Sequence, residues 1–171
     1  KNVSNANGYV WDKIVTDSGL TGYVARGDDD ENYIEPVSGT GSSAIKGTGF
    51  KTTGSNLMCE PNITIQNILS KASGAVIKNA SGKTVTSGNI GTGYMVKYNG
   101  STYTVIKLGD VNGDGKMTPA DSTVILRSYV GLSGMSNAEK MAADTNKDGK
   151  LTPADSTVIL RAYVGLTDIK I

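Results

Sequence analysis

One stretch of this chain is written twice. Residues 110–132 read DVNGDGKMTPADSTVILRSYVGL, and residues 144–166 read DTNKDGKLTPADSTVILRAYVGL. The copies differ at four aligned pairs: Val111/Thr145, Gly113/Lys147, Met117/Leu151 and Ser128/Ala162. Whatever local structure the first copy adopts, the second must adopt too. Such near-identity is more than two amphipathic helices require.

Each copy opens with oxygen-bearing side chains at alternate positions. These are Asp110, Asn112 and Asp114, then Asp144, Asn146 and Asp148. A glycine follows at position six (Gly115, Gly149), and an aspartate closes position twelve (Asp121, Asp155). This is the ligand spacing of an EF-hand loop, and it suits calcium, a hard cation that takes six to eight oxygens in irregular geometry. The loops predicted are 110–121 and 144–155, with two Ca2+ ions as the cofactor. Position seven would contribute the backbone carbonyls of Lys116 and Lys150. Position nine, Thr118 or Thr152, would bind directly or through water. The standard closing residue is Glu; Asp is one methylene shorter and demands a tighter loop.

The same letters predict helices. Thr118 and Thr152 are capping hydroxyls, Pro119 and Pro153 take the first helical position, and Asp121 and Asp155 stand at the third. Gly131 and Gly165 fall where a left-handed C-terminal cap belongs. Ile125 with Tyr129, and Leu126 with Val130, are expected to form the buried stripe. Between the copies, Ser136 and Glu139 make a capping box that opens a short helix through Ala143.

A duplicated calcium loop, each followed by one helix and closed by Asp, resembles the type I dockerin family. The likeness covers residues 110–166. It implies a secreted, cell-surface-associated bacterial protein that docks to a cohesin-like partner, as in cellulosomes and other polysaccharide-degrading complexes. Recognition in that family implies Pro119, Ala120, Thr123 and Arg127, with Pro153, Ala154, Thr157 and Arg161, as the partner-binding set. Cellulosomal relatives often carry a hydroxyl pair at loop positions ten and eleven; here Pro-Ala stands there. Two near-identical faces would let one partner dock in either orientation. An alternative follows from the same residues: a calcium-stabilised C-terminal segment of a peptidoglycan hydrolase, clamped on a module of its own chain, with no cohesin partner.

Composition narrows the chemistry. The chain of 171 residues has no His, one Cys and a formal net charge of +1. Absent His removes the Ser-His-Asp and Cys-His nucleophilic schemes. Near-neutral charge argues against a nucleic-acid partner. No stretch reaches the ~20 apolar residues of a membrane span. Cys59 reads as a small buried hydrophobe. No residue is expected to be catalytic; hydrolase activity would belong to a domain outside this chain. The start at Lys1, without Met, is expected of a fragment of a longer protein.

The expected fold class is α+β and multi-domain, with small, mostly-β N-terminal and central parts followed by an all-α dockerin. In residues 1–38, Tyr9-Val10-Trp11, Lys13-Ile14-Val15 and Thr21-Gly22-Tyr23-Val24 alternate around Ser18-Gly19, and the segment resembles part of a bacterial SH3-like domain. That likeness implies contact with cell-wall polymer. The acidic run Asp28, Asp29, Asp30 and Glu31 lacks alternating spacing and reads as a solvated loop. Residues 39–43 are a Gly/Ser linker. Residues 44–108 read as a small β-rich α+β module. Its strand signals lie at 45–51, 75–78, 83–86, 94–98 and 102–107, with a short helix capped by Thr64 and an Asn99–Gly100 hairpin turn. Residues 109–171 form the calcium module. Leu108 and Gly109 alone separate the last strand from the first ligand, so the two parts are expected to pack rigidly.

Overall fold

A computed structural model describes residues 43–171 in full and, of residues 1–42, the backbone of four strands. These strands are β1 (Val3–Ser4), β2 (Val10–Val15), β3 (Thr21–Arg26) and β4 (Asn32–Tyr33). They form an antiparallel sheet in chain order, with Trp11 opposite Ala25 and Ala25 opposite Tyr33. The side chains and turns behind the SH3-like reading, the acidic run at 28–31 and linker residues 39–42 lie outside the described residues.

Residues 43–171 form one compact unit. Its sheet runs β5 (Lys46–Gly47), β6 (Phe50–Thr53), β7 (Asn56–Cys59), β10 (Ser101–Lys107), β9 (Met95–Tyr98) and β8 (Val76–Lys78), in that spatial order. All pairs are antiparallel except β7 with β10, which run parallel. The strand predicted over 45–51 is broken in two, because Gly49 adopts φ 78° and turns the chain. Asn99 (φ 46°) and Gly100 (φ 79°) make the tight β9–β10 turn, where consecutive positive φ values match the sheet twist. After β8, residues 83–86 make a bridge at Thr84 to Lys78 rather than a full strand. Helix α1 (Ile65–Leu69) is capped by Thr64 and covers the sheet with Ile65 and Ile68. The core beneath joins Phe50, Leu57, Val96 and Val105 to that helix.

The expected all-α module does not hold. Helices α2 (Pro119–Tyr129), α3 (Asn137–Ala143) and α4 (Pro153–Tyr163) have 11, 7 and 11 residues, so loops make up more than half of residues 109–171. Nor do these helices form a separate layer behind a mostly-β part. A second core brings Leu108 and Val111 together with Ile125, Ile159 and Ile169, and Met58 of β7 packs against it. Gly109 N donates to Ala142 O at 2.9 Å, tying the end of β10 to α3. The sheet and the helices therefore share one unit. Two loop–helix units by themselves bury only a marginal share of their surface.

The predicted helical stripe is also narrower than expected. Ile125 is fully buried, but Leu126, Tyr129 and Val130 are 42, 57 and 64 % exposed. The cause lies at the α2–α4 contact. Ser122 Oγ donates to Ser156 O at 3.1 Å. Small side chains there let the helices approach closely, so Asp121, Ser122 and Ile125 alone of α2 are fully covered. Both helices end in a Schellman arrangement: Leu132 N donates to Arg127 O, and Leu166 N to Arg161 O, each at 2.8 Å.

Candidate metal centres

The first loop grows directly out of β10. Gly109 (φ 82°) turns the chain, and Asp110 follows, fully buried. Its Oδ2 accepts from Thr92 N at 2.9 Å and from Gly115 N at 3.1 Å. Its Oδ1 is buried with no hydrogen-bond partner. Asn112 Oδ1 accepts from Asp114 N at 2.9 Å, and Asp114 Oδ1 accepts from Lys116 N at 2.8 Å. These short local bonds bend the loop back on itself. The second loop repeats the pattern: Asn146 Oδ1 takes Asp148 N, Asp148 Oδ1 takes Lys150 N, and Asp144 Oδ2 takes Gly149 N. Asp144 Oδ1 is again buried and unpartnered.

The closing aspartates gather backbone donors. Asp121 Oδ1 accepts from Val111 N and Asn112 N at 2.8 and 3.0 Å, and its Oδ2 accepts from Thr118 N and Thr118 Oγ1 at 2.8 and 3.2 Å. Asp155 does the same for Thr145 N, Asn146 N, Thr152 N and Thr152 Oγ1. Each carboxylate thus fastens both ends of its loop and closes a capping box at the following helix. Thr118 and Thr152 turn their hydroxyls to that cap, accepting from Ala120 N and Ala154 N.

Among the described residues, no three Asp, Glu, Cys or His side chains converge into a metal-holding group by themselves. The residues nevertheless fit a hard cation on a specific observation. One carboxylate oxygen at position one of each loop is shut away from water and bonded to nothing. A buried, unpaired carboxylate oxygen is costly unless a cation or donor meets it. The neighbouring oxygens of Asn112 and Asp114, or Asn146 and Asp148, are the type calcium takes.

Groups of both charge signs are buried at the first loop. Burial raises the Asp110 carboxyl to about 6, with Asp121 adding to the rise and the Thr92 and Gly115 amides opposing it. Lys107 is buried beside it. Its Nζ donates to Ile63 O at 3.1 Å and to Gly115 O at 2.7 Å. Burial lowers the Lys107 pKa, while the charge of Asp110 opposes that fall. Cys59 is buried and pushed up to about 12, first by burial, which leaves it an inert thiol.

A raised carboxyl sets the sign of the pH response. In the metal-free protein, the stability contributed by Asp110 is full below its unfolded value of 3.8 and is lost as pH rises through about 6. A cation needs the ionised form, so calcium affinity at the first loop should fall as pH drops below about 6, where each ion bound displaces up to one proton from Asp110. Calorimetry in buffers of different ionisation heat, on either side of that pH, measures the proton count. Equal affinity and no proton release would contradict it.

The eight predicted partner-binding residues are all exposed. Pro119, Ala120, Thr123 and Arg127 lie on α2, and Pro153, Ala154, Thr157 and Arg161 lie on α4. Thr123 and Thr157 spend their hydroxyl protons on Pro119 O and Pro153 O. Sequence reasoning missed two features. One is the apolar set beside the arginines: Leu126, Tyr129 and Val130 on the first copy and Leu160, Tyr163 and Val164 on the second, each 42–64 % exposed. Its signal was its exact repetition in both copies, beyond what a buried stripe requires. The other is the contact of Thr92 and Lys107 with the first loop, signalled by the Gly113/Lys147 mismatch. No helix among the described residues is long and apolar enough to cross a membrane. No curated protein and no solved structure matches the chain. Residues 108–163, about a third of the chain and the part that holds both loops, match the family model described as the dockerin type I domain.

Proposed function

We propose that residues 109–166 are a non-catalytic, calcium-dependent docking module holding two Ca2+ ions. The observation that supports this most is the pair of buried, unpartnered oxygens, Asp110 Oδ1 and Asp144 Oδ1, at equivalent positions of the duplicate. The first ion would be held by Asp110, Asn112, Asp114 and Asp121, with Lys116 O and Thr118; the second by Asp144, Asn146, Asp148 and Asp155, with Lys150 O and Thr152. When bound, calcium neutralises carboxylates that otherwise repel and so makes the loop fold favourable. The partner is a cohesin-like protein, met outside the cell. The protein carrying this module is a secreted polysaccharide- or wall-directed one, whose enzymatic activity resides elsewhere.

Docking would use the exposed sides of α2 and α4. Each offers an arginine and a tyrosine, residue types enriched at interface hot spots, beside exposed Leu and Val. Replacing Arg127 and Arg161 together by Glu should reduce calcium-dependent capture of the partner about 100-fold or more, as loss of paired interface anchors does, while two calcium ions still bind by calorimetry. Full capture by the double variant would remove these faces from the interface.

A second reading has its own support. The chain end folds back: Ile169 is buried in the second core and Lys170 Nζ lies 3.4 Å from Glu60 Oε2. That packing suits a calcium-stabilised structural segment clamped on its own sheet. A calcium-dependent pull-down from secreted and surface proteins of the source cell separates the two readings. A specific partner supports docking; a stable, calcium-loaded chain that captures nothing supports the clamp.

A further inference from the structure

The two loops are almost one sequence, yet the fold treats them differently. Asp110 Oδ2 has two amide donors, Thr92 N and Gly115 N, whereas the amide on Asp144 Oδ2 is Gly149 N from its own loop. Gly115 is buried, and its carbonyl accepts from Lys107 Nζ; Gly149 is exposed, with open space where a Cβ would stand. A Cβ on Gly91 would fall 2.4 Å from Gly113 O, and a Cβ on Gly113 would fall 2.8 Å from Thr92 O. The equivalent of Gly113 in the second loop is Lys147, exposed at φ 60°. The left-handed turn is therefore common to both loops. The space for a side chain exists only in the second, which is the physical reason for that mismatch.

We propose that residues 89–92 and Lys107 are an outer wall of the first ion site, so that the two ions exchange on different timescales. The first ion is a resident one, locked between loop and sheet. The second, in a loop open to solvent, responds to the calcium level around the protein. The argument rests on the reading that both loops hold calcium. Two features of the wall carry it. The Thr92 amide fixes a ligand carboxylate from outside the loop. The backbone contacts at Gly91 and Gly113 hold the loop against the sheet, so opening the first site requires breaking packing that the second site lacks. The sheet cannot give way cheaply, since Thr92 also bonds the end of β10: its Oγ1 accepts from Lys107 N at 3.1 Å and lies 3.2 Å from Lys107 O.

The test is calcium release from the loaded full chain after rapid mixing with a fluorescent chelator. Two phases of equal amplitude are expected, the slow one slower by about tenfold or more, the scale of one charge-assisted hydrogen bond. Asp148→Asn should abolish the fast phase and Asp114→Asn the slow one. Gly91→Ala, which forces the first loop off its wall, should speed the slow phase about tenfold and leave the fast phase alone. Gly113→Lys should act likewise, whereas Lys147→Gly should change neither phase. The sheet's amide spectrum checks that each variant folds, and the Asp variants assign the phases even where the glycine variants do not fold. A single phase releasing both ions, or a slow phase that belongs to the second loop, overturns the wall proposal while leaving the two-ion reading intact. Zero ions released defeats the two-ion reading itself.

Discussion

Asp121→Ala should be among the most damaging single substitutions in residues 109–171, with a loss of about 3–5 kcal/mol in the calcium-loaded protein. Asp121 is fully buried and accepts from three backbone amides and one hydroxyl. Truncation leaves those donors inside the fold with nothing to meet. It also opens the capping box of α2 and removes a candidate ligand at once. Asp121→Asn should be nearly as costly, since its amide must point hydrogens at donors already there. Asp155→Ala should cost somewhat less, because its bonds are longer, at 3.0–3.4 Å. Urea unfolding with calcium present measures all three. A loss below about 1 kcal/mol for Asp121→Ala, the size of one ordinary hydrogen bond, would mean that the carboxylate is not the fastening described.

The second large effect is expected on removing calcium. With excess chelator, amide protection should fall to that of an unfolded chain through α2, α4 and both loops, while β7, β10, β9 and β8 stay protected. The α2–α4 contact buries Ser122, Ile125, Ser156 and Ile159 and leaves the larger apolar side chains out. Even with Leu108, Val111, Ala143 and Ile169 completing the second core, such a stripe cannot offset roughly 1–2 kcal/mol of backbone entropy per ordered residue while the loop carboxylates repel. The sheet has its own core, from Phe50 to Val105, and depends less on the metal. Hydrogen exchange with and without chelator reads this directly. Unchanged protection in α4 would show that packing alone holds the repeat together, and calcium would lose its structural role.

The sequence was most legible where one residue type satisfies one local demand. Thr118 and Thr152 cap, Pro119 and Pro153 start a helix, and Gly131 and Gly165 end one, because each solves a backbone problem within a single turn. The Asn99–Gly100 turn was equally plain. Tertiary choices were not. Periodicity offered Leu126, Tyr129 and Val130 as core, but it cannot tell how closely two helices approach; Ser122 against Ser156 decided that. The all-α expectation failed for a related reason. A loop–helix duplicate says nothing of the strand that precedes it, and β10 delivers Asp110 straight into the sheet's end. Of the candidate ligands, Asp110 is fixed by full burial, and position twelve of both loops by its helix cap. The asymmetry between loops was visible only as Gly113 facing Lys147, which acquires meaning once Thr92 O is seen beside it.

The parallel pairing of β7 with β10 has a mechanical consequence. Since β5 is antiparallel to β6 and β6 to β7, the strands β5, β7 and β10 all point one way. The chain thus enters the sheet at one end, through β5, and leaves for the helices at the opposite end, through Lys107. A tug between the helices, held from outside, and the residues before Ser43 would slide these strands lengthwise. Every rung, from Thr104 opposite Asn56 to Lys107 opposite Cys59, then bears the load together. Loading of that kind shares the force among the rungs, where peeling would break them one at a time.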